Sequence, residues 1–205
     1  MKSRCVATVA GTPVAVAEVD AREMRLRNGP QANALPARGT SEGRQLRRWL
    51  TQLIVTERVI AAEAAARGLD GTYAPAGEDL LPDMTARLEI GSIAAAALAD
   101  PRARALFADV TAEVEVSAEE VAAYHARNPL RFARSDVASH GWRVPASCAP
   151  PLHEVRSAIS AHLLAAARRR EFRVWLDARR AALVQLAPGY EHPGDPRQPD
   201  NTHRH

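Results

Sequence analysis

Long apolar runs, cysteine and aromatic side chains are all scarce in this chain of 205 residues, of which phenylalanine, tryptophan and tyrosine make up 4%. No stretch approaches the roughly 20 apolar residues of a transmembrane helix, so we predict no membrane partner. The two cysteines, Cys5 and Cys148, have no CxxC spacing, which indicates idle thiols in a reducing compartment. Thr8 and Gly11 interrupt the apolar run near the start of the sequence, whereas a secretory signal has a continuous apolar region. We therefore predict a cytoplasmic protein.

A glycine-rich phosphate loop is also missing, and we predict no nucleotide cofactor. Basic residues number 27 and acidic residues 24, so the net charge is only +3. Both signs are mixed along the chain and few aromatic rings are present to stack on bases, which disfavours a nucleic-acid partner. The composition excludes fibrous and membrane-spanning proteins. It names no reaction, and whether the chain is an enzyme stays open.

Alanine is abundant, with 42 residues, and favours a mainly α-helical fold. Thr40, Ser41 and Glu42 are typical of a helix start, and we predict a long helix from there to about Arg67, closed by Gly68. Shorter segments are predicted as a strand or hairpin over 4–16, helices over 17–28, 83–99 and 118–128, and strands over 137–144 and 183–186. The helix over 83–99 is predicted to break at Asp100-Pro101 and to continue to about Ala108. The last helix is predicted to run from 152 to about 183.

Charged residues of the two long helices lie mostly away from their apolar stripes, and we interpret them as solvent-exposed faces. On the first long helix these are Arg44, Arg47, Arg48, Glu57, Arg58 and Glu63. On the last helix they are Arg168, Arg169, Arg170, Arg173, Arg179 and Arg180.

Four segments together resemble the SurA/PrsA-type chaperone family of peptidyl-prolyl isomerases. Residues 6–20, which read Val-Ala-Thr-Val-Ala-Gly-Thr-Pro-Val-Ala-Val-Ala-Glu-Val-Asp, resemble its strand–turn–strand–helix opening. Residues 47–69 are similar to its long second helix, and residues 116–132 resemble the segment that leads into a parvulin domain. Residues 152–186 resemble the helix and strand that follow that domain and return to the N-terminal strand.

This resemblance implies a SurA-like helical domain over 1–187, with a small sheet that pairs the N- and C-terminal strands. It also implies an apolar groove for a polypeptide client or partner protein. A parvulin domain needs on the order of a hundred residues. Only residues 133–151 separate Phe132 from Leu152, so the isomerase module is missing and no prolyl isomerase activity is expected. The sequence leaves oligomerisation open.

The C-terminal tail, residues 188–205, is rich in proline and contains three of the seven histidines. Imidazoles and carboxylates at flexible spacing are typical ligands of zinc, copper, nickel or iron. We therefore predict a divalent transition-metal site made of His192, His203, His205, Glu191 and Asp195. Two alternatives stay open: a tail without any partner, and a tail that docks on the body without metal.

Two classes of function follow. The first is a chaperone-like binding protein that holds a polypeptide without catalysis. The second is a metal-dependent enzyme, or an accessory enzyme of specialised metabolism, in which tail histidines share an ion with a ligand on the body. His125, His140, His153 and His162 are the histidines available there. A metal carrier would use the same ligands.

Overall fold

A computed structural model of the protein describes residues 5–30, 32–132 and 149–195. This part of the chain is mainly helical with one small sheet, as predicted. The helices are α1 (Val16–Arg27), α2 (Ser41–Ala66), α3 (Gly77–Leu80), α4 (Met84–Ile90), α5 (Ser92–Ala97), α6 (Pro101–Val110), α7 (Ala118–Arg127) and α8 (Leu152–Leu183). Among the described residues, no helix combines the length and apolar character needed to cross a membrane.

The sheet has three antiparallel strands in the order β2–β1–β3, where β1 is Cys5–Val9, β2 is Thr12–Ala15 and β3 is Val184–Leu186. Ala10 and Gly11 turn the first hairpin with positive φ angles of 48° and 79°, the combination that tight two-residue hairpin turns require. Ala7 of β1 lies opposite Leu186 of β3. The predicted pairing of the N- and C-terminal strands is therefore confirmed.

Helix α2 begins where the sequence predicted. The Thr40 hydroxyl accepts a hydrogen bond from the Gly43 amide at 3.0 Å, which satisfies one of the free donors of the first turn. Gly43 is needed because a Cβ atom there would lie 2.3 Å from the Ala37 carbonyl oxygen. The helix ends before Gly68, whose φ of 69° suits glycine.

The single helix predicted over 83–99 is wrong at one point. Gly91 has a φ of 89° and divides the segment into α4 and α5. Asp83 caps α4 by accepting from the Ala86 amide at 2.8 Å. The strand predicted over 137–144 lies outside the described residues, as does most of the segment 133–151.

Helix α2 is the centre of the main core and contacts α1, α5, α6, α8 and β1. Its buried apolar residues pack against those of the sheet, α4, α5, α6 and the C-terminal half of α8. Helix α8 is about 48 Å long at 1.5 Å per residue, so it reaches beyond that core. Its N-terminal half packs on α7 through a second cluster of Val121, Val155 and Ile159.

The predicted solvent-exposed charged faces are wrong at Arg48 and Arg169, which are buried, and most of the other predicted positions are only partly exposed. On α2, Arg48 is buried, and Arg47 binds Asp20 and Glu23 of α1 at 2.7 and 2.8 Å. On α8, the buried Arg169 binds Glu89 at 2.8 Å. These residues hold neighbouring helices together because burial forces each charge to find a partner.

The carboxylate of Glu23 is 2% exposed and binds three guanidinium groups. Arg27, Arg47 and Arg38 approach it at 2.7, 2.8 and 3.1 Å. Burial alone would raise the pKa of Glu23, but the hydrogen bonds from Arg27, Arg47 and Arg38 outweigh it and lower the pKa to about 2. Through this carboxylate, α1, α2 and the loop before α2 are joined.

We expect Glu23→Gln to lower the free energy of unfolding at pH 7 by about 3 kcal/mol, because it leaves three guanidinium groups without their shared anion. The pKa of Glu23 is lowered from 4.5 to about 2, so its stabilisation is complete above pH 4.5 and disappears as the pH falls towards 2. Urea unfolding at pH 7 and pH 3 should therefore show a smaller difference between variant and wild type at pH 3. Glu113→Gln is the control, since Glu113 is exposed. An equal effect of both variants would contradict the prediction.

Candidate functional site

An open cleft with a volume of about 610 Å³ lies between α1, α2 and the two consecutive helices α5 and α6. We refer to it as the cleft. Small side chains form most of its apolar floor, and they leave the volume between these helices open. The floor residues are Ile54, Ile60, Ala61, Ala96, Ala97 and Ala103.

Charged side chains form the rim of the cleft. Arg22 of α1 binds Glu57 of α2 at 2.7 Å. Arg58 of α2 binds Glu18 of α1 at 2.5 Å and also donates to the Pro13 carbonyl at 2.8 Å. Each pair is roughly one-third exposed, so its net contribution to stability is about 0 to 1 kcal/mol. Their main effect is to fix the positions of the guanidinium groups.

The positive charges of the rim exceed the negative ones. Four arginines and three carboxylates line the cleft, and the remaining pair is Arg102 with Asp100 at 3.1 Å. Arg25 is exposed and forms no hydrogen bond or ion pair with a described residue. A guanidinium group is therefore available at the rim for an anionic group of a ligand.

The C-terminal segment, which we define as residues 187–195, lies against the body of the protein. The Ala187 amide extends the β1–β3 pairing by donating to the Val6 carbonyl at 2.9 Å. Arg48 and Gln52 of α2 donate to the carbonyls of Gly189 and Tyr190 at 3.2 and 2.7 Å. The described part of the tail, residues 188–195, therefore contacts the body.

Two side-chain contacts hold this segment on the body. Gln52 is 1% exposed, and its oxygen accepts from the guanidinium group of Arg180, so the amide is held in one orientation. The Tyr190 ring packs against the main core as a partly buried side chain. Without the segment in this place, the Gln52 side-chain nitrogen would lose its acceptor and the Tyr190 ring its contact with the core.

The predicted metal ligands are distributed as follows. Glu191 accepts from the Gly189 amide at 3.1 Å, and the Nδ1 atom of His192 accepts from the Gly194 amide at 3.0 Å. Asp195 also lies in the segment, whereas His203 and His205 lie outside the described residues. Across 5–30, 32–132 and 149–195, no group of three histidine, cysteine or carboxylate side chains is arranged to hold a metal ion. The metal site stays a prediction.

The histidines of the body have other surroundings. His125 contacts the Pro150 carbonyl at 2.9 Å, and His162 lies between Tyr124 and Phe132 next to the second cluster. His153 is exposed beside Glu154. His140 lies outside the described residues.

The residues of the cleft are not among those that the sequence singled out. Arg22 and Arg25 lie three positions apart on α1, and Glu57, Arg58 and Ala61 lie on one side of α2, but nothing in the spacing shows that these faces meet. The alanine-rich run at 94–97 was the available signal, because small side chains on adjacent helices leave space between them.

One family model matches the chain, over residues 5–42, and it describes a family of unknown function, DUF7158. The match covers the β1–β2 hairpin, α1 and the start of α2, and so includes the α1 wall of the cleft and Glu23. No curated protein and no solved structure matches the chain.

We expect Gln52→Leu to loosen the C-terminal segment, since it leaves the Tyr190 carbonyl and the Arg180 guanidinium group without the amide. The cost of such a lost buried hydrogen bond is about 1 to 3 kcal/mol. Hydrogen exchange at the Tyr190 and Asp195 amides, which bond to Ala187 and His192, should accelerate about tenfold or more. The exposed Gln185→Leu should leave both rates unchanged, and equal rates in both variants would contradict this assignment.

The metal hypothesis makes a separate prediction. Elemental analysis of untagged protein should find a near-stoichiometric transition metal in the full chain and not in a chain that ends at Ala187. The double variant His203→Ala, His205→Ala should lose that metal, because two imidazole ligands are removed. A full chain without metal after incubation with zinc, copper, nickel or iron would contradict the hypothesis.

Proposed function

We propose that the protein is a chaperone-like binding protein that holds an acidic segment of a polypeptide client or partner in the cleft, without catalysis. The observation that carries this proposal is the combination of an alanine-lined floor with an arginine-rich rim. The resemblance to SurA/PrsA-type chaperones points to the same class of function. No isomerase step is part of the proposal.

The size and lining of the cleft suit such a ligand. Its volume of about 610 Å³ lies within the range of ligand-binding clefts. The alanine floor leaves room for side chains that a leucine-lined surface would exclude. Apolar contact with this floor would provide affinity that depends little on sequence.

The charge of the rim selects the ligand. Arginine binds carboxylates in planar, two-point geometry, and the rim presents four guanidinium groups to three carboxylates. Arg25 has no partner among the described residues, so a ligand carboxylate need not displace an existing ion pair there. An acidic segment fits this surface better than a basic one, which would face Arg25 and Arg102.

Binding of a labelled glutamate–alanine peptide, followed by fluorescence anisotropy, tests the proposal. We expect Arg25→Glu to weaken binding about tenfold, because it places a like charge beside the ligand. Arg87→Glu makes the same change of net charge on α4, outside the cleft, and should leave affinity nearly unchanged. A glutamine–alanine peptide should bind more weakly than the acidic one and with less dependence on salt.

A second pair of variants tests the floor. Ala61→Leu fills part of the cleft and should weaken binding, whereas Ala62→Leu lies one residue further on the exposed side of α2 and should not. Arg25→Glu and Ala61→Leu should also suppress the aggregation of an unfolded acidic client less than their controls, Arg87→Glu and Ala62→Leu. Equal affinity of all four variants, or no binding of the acidic peptide at all, would contradict the proposal.

A further inference from the structure

A second and smaller pocket, of about 240 Å³, shares no lining residue with the cleft. It is bounded by the first turn of α5, by α8 and by His192 of the C-terminal segment. We refer to it as the α8 pocket. Arg173, Asp177 and Arg180 line its α8 wall, and Ser92 lies on the α5 side.

Arg180 is the unusual residue of this pocket. It is partly buried and forms no salt bridge with a described residue. One of its guanidinium nitrogens donates to the oxygen of Gln52, while its Nε atom is buried without a hydrogen-bond partner in the described part of the chain. Burial lowers the pKa of Arg180, and the charge of Asp177 opposes this. A desolvated cation without a bound carboxylate is costly unless an anion approaches it.

Arg173 adds a second positive charge on the same wall. It lies seven residues, or about two helical turns, before Arg180, so both side chains project from one face of α8. Its exposed guanidinium group donates to the Glu89 backbone carbonyl at 3.2 Å and forms no salt bridge with a described residue. Asp177 lies between the two arginines and provides the pocket with one carboxylate against two guanidinium groups.

Ser92 supplies a neutral donor opposite this wall. Its oxygen accepts from the Trp49 indole at 3.2 Å, which leaves the hydroxyl proton free to donate. Two arginines and a hydroxyl are a set of hydrogen-bond donors that matches the oxygens of a phosphate or carboxylate group.

We propose that the α8 pocket binds a small oxyanion, a phosphate or a carboxylate, through the guanidinium groups of Arg173 and Arg180 and the hydroxyl of Ser92. The volume of the pocket accommodates such an anion with part of its hydration. This site is separate from the cleft and does not depend on the function proposed for it.

The site is connected to the C-terminal segment in two ways. Gln52 binds Arg180 with its oxygen and the Tyr190 carbonyl with its nitrogen, and His192 forms part of the pocket wall. Burial and the charge of Arg180 lower the pKa of His192, whereas Asp177 and Asp195 oppose the shift. Arg173 and Arg48, which binds the segment at Gly189, are the other charged groups here.

The test is an NMR titration of the full ¹⁵N-labelled chain with sodium phosphate and, separately, with sodium acetate, at constant ionic strength set with sodium chloride. We expect saturable shifts of the backbone amide signals of Ser92 and His192, which line the pocket. Saturation by phosphate alone, by acetate alone or by both identifies the class of anion. Shifts that increase linearly with both salts would overturn the proposal.

Variants at matched positions of α8 separate a built site from general charge attraction. Arg173→Gln should weaken anion binding about tenfold, which corresponds to ~1.4 kcal/mol. Arg170→Gln removes the same charge from an exposed position outside the pocket and should change affinity less than about twofold. Arg180→Gln should abolish saturation. Arg180→Gln also alters the contact with Gln52, so the decisive comparison is between Arg173→Gln and Arg170→Gln. Equal anion affinities of these two variants would overturn the proposal.

Discussion

The burial of α2 on several sides is the constraint on which the rest of the structure depends. A central helix with only apolar residues would require complementary packing from its neighbours but no hydrogen-bond partners. Helix α2 instead contains arginines, glutamates and two glutamines, and each of these must be hydrogen-bonded or paired wherever water is excluded. The surrounding elements supply the partners: Asp20 and Glu23 from α1, Arg179 from α8 for Glu63 at 2.5 Å, and the backbone of the C-terminal segment.

The cleft and the α8 pocket both arise from this arrangement. On one side of α2, Glu57 and Arg58 pair with α1, and the alanines of α5 and α6 leave an open floor between the charged rims. On another side, Gln52 holds Arg180 and the Tyr190 carbonyl, which places His192 against α8. Each site therefore combines groups that α2 positions with groups from an element distant in sequence.

Most features that depend on residues close together in the sequence were predicted correctly, whereas most features that depend on distant residues were not. Signals within a few residues, such as Thr40 at the start of α2 and Gly68 just after its end, predicted where this helix begins and ends. The break at Gly91 was missed because good helix formers are frequent a few residues away on both sides, as at Arg87–Glu89 and Ala94–Ala97. The charged residues of α2 and α8 were misinterpreted because an exposed arginine and a paired, buried one have the same sequence pattern.

The sequence by itself determined the mainly helical class, the bounds of the two long helices and the hairpin at the start, since these depend on local propensity and capping. It also showed that no glycine-rich phosphate loop is present. Only the tertiary structure decided that Glu23 is shared by three arginines, that the C-terminal segment docks on Gln52, and that alanines and arginines of four helices enclose the cleft. The physical reason is that burial and pairing are properties of residues brought together from distant positions, and no spacing along one segment specifies which of them meet.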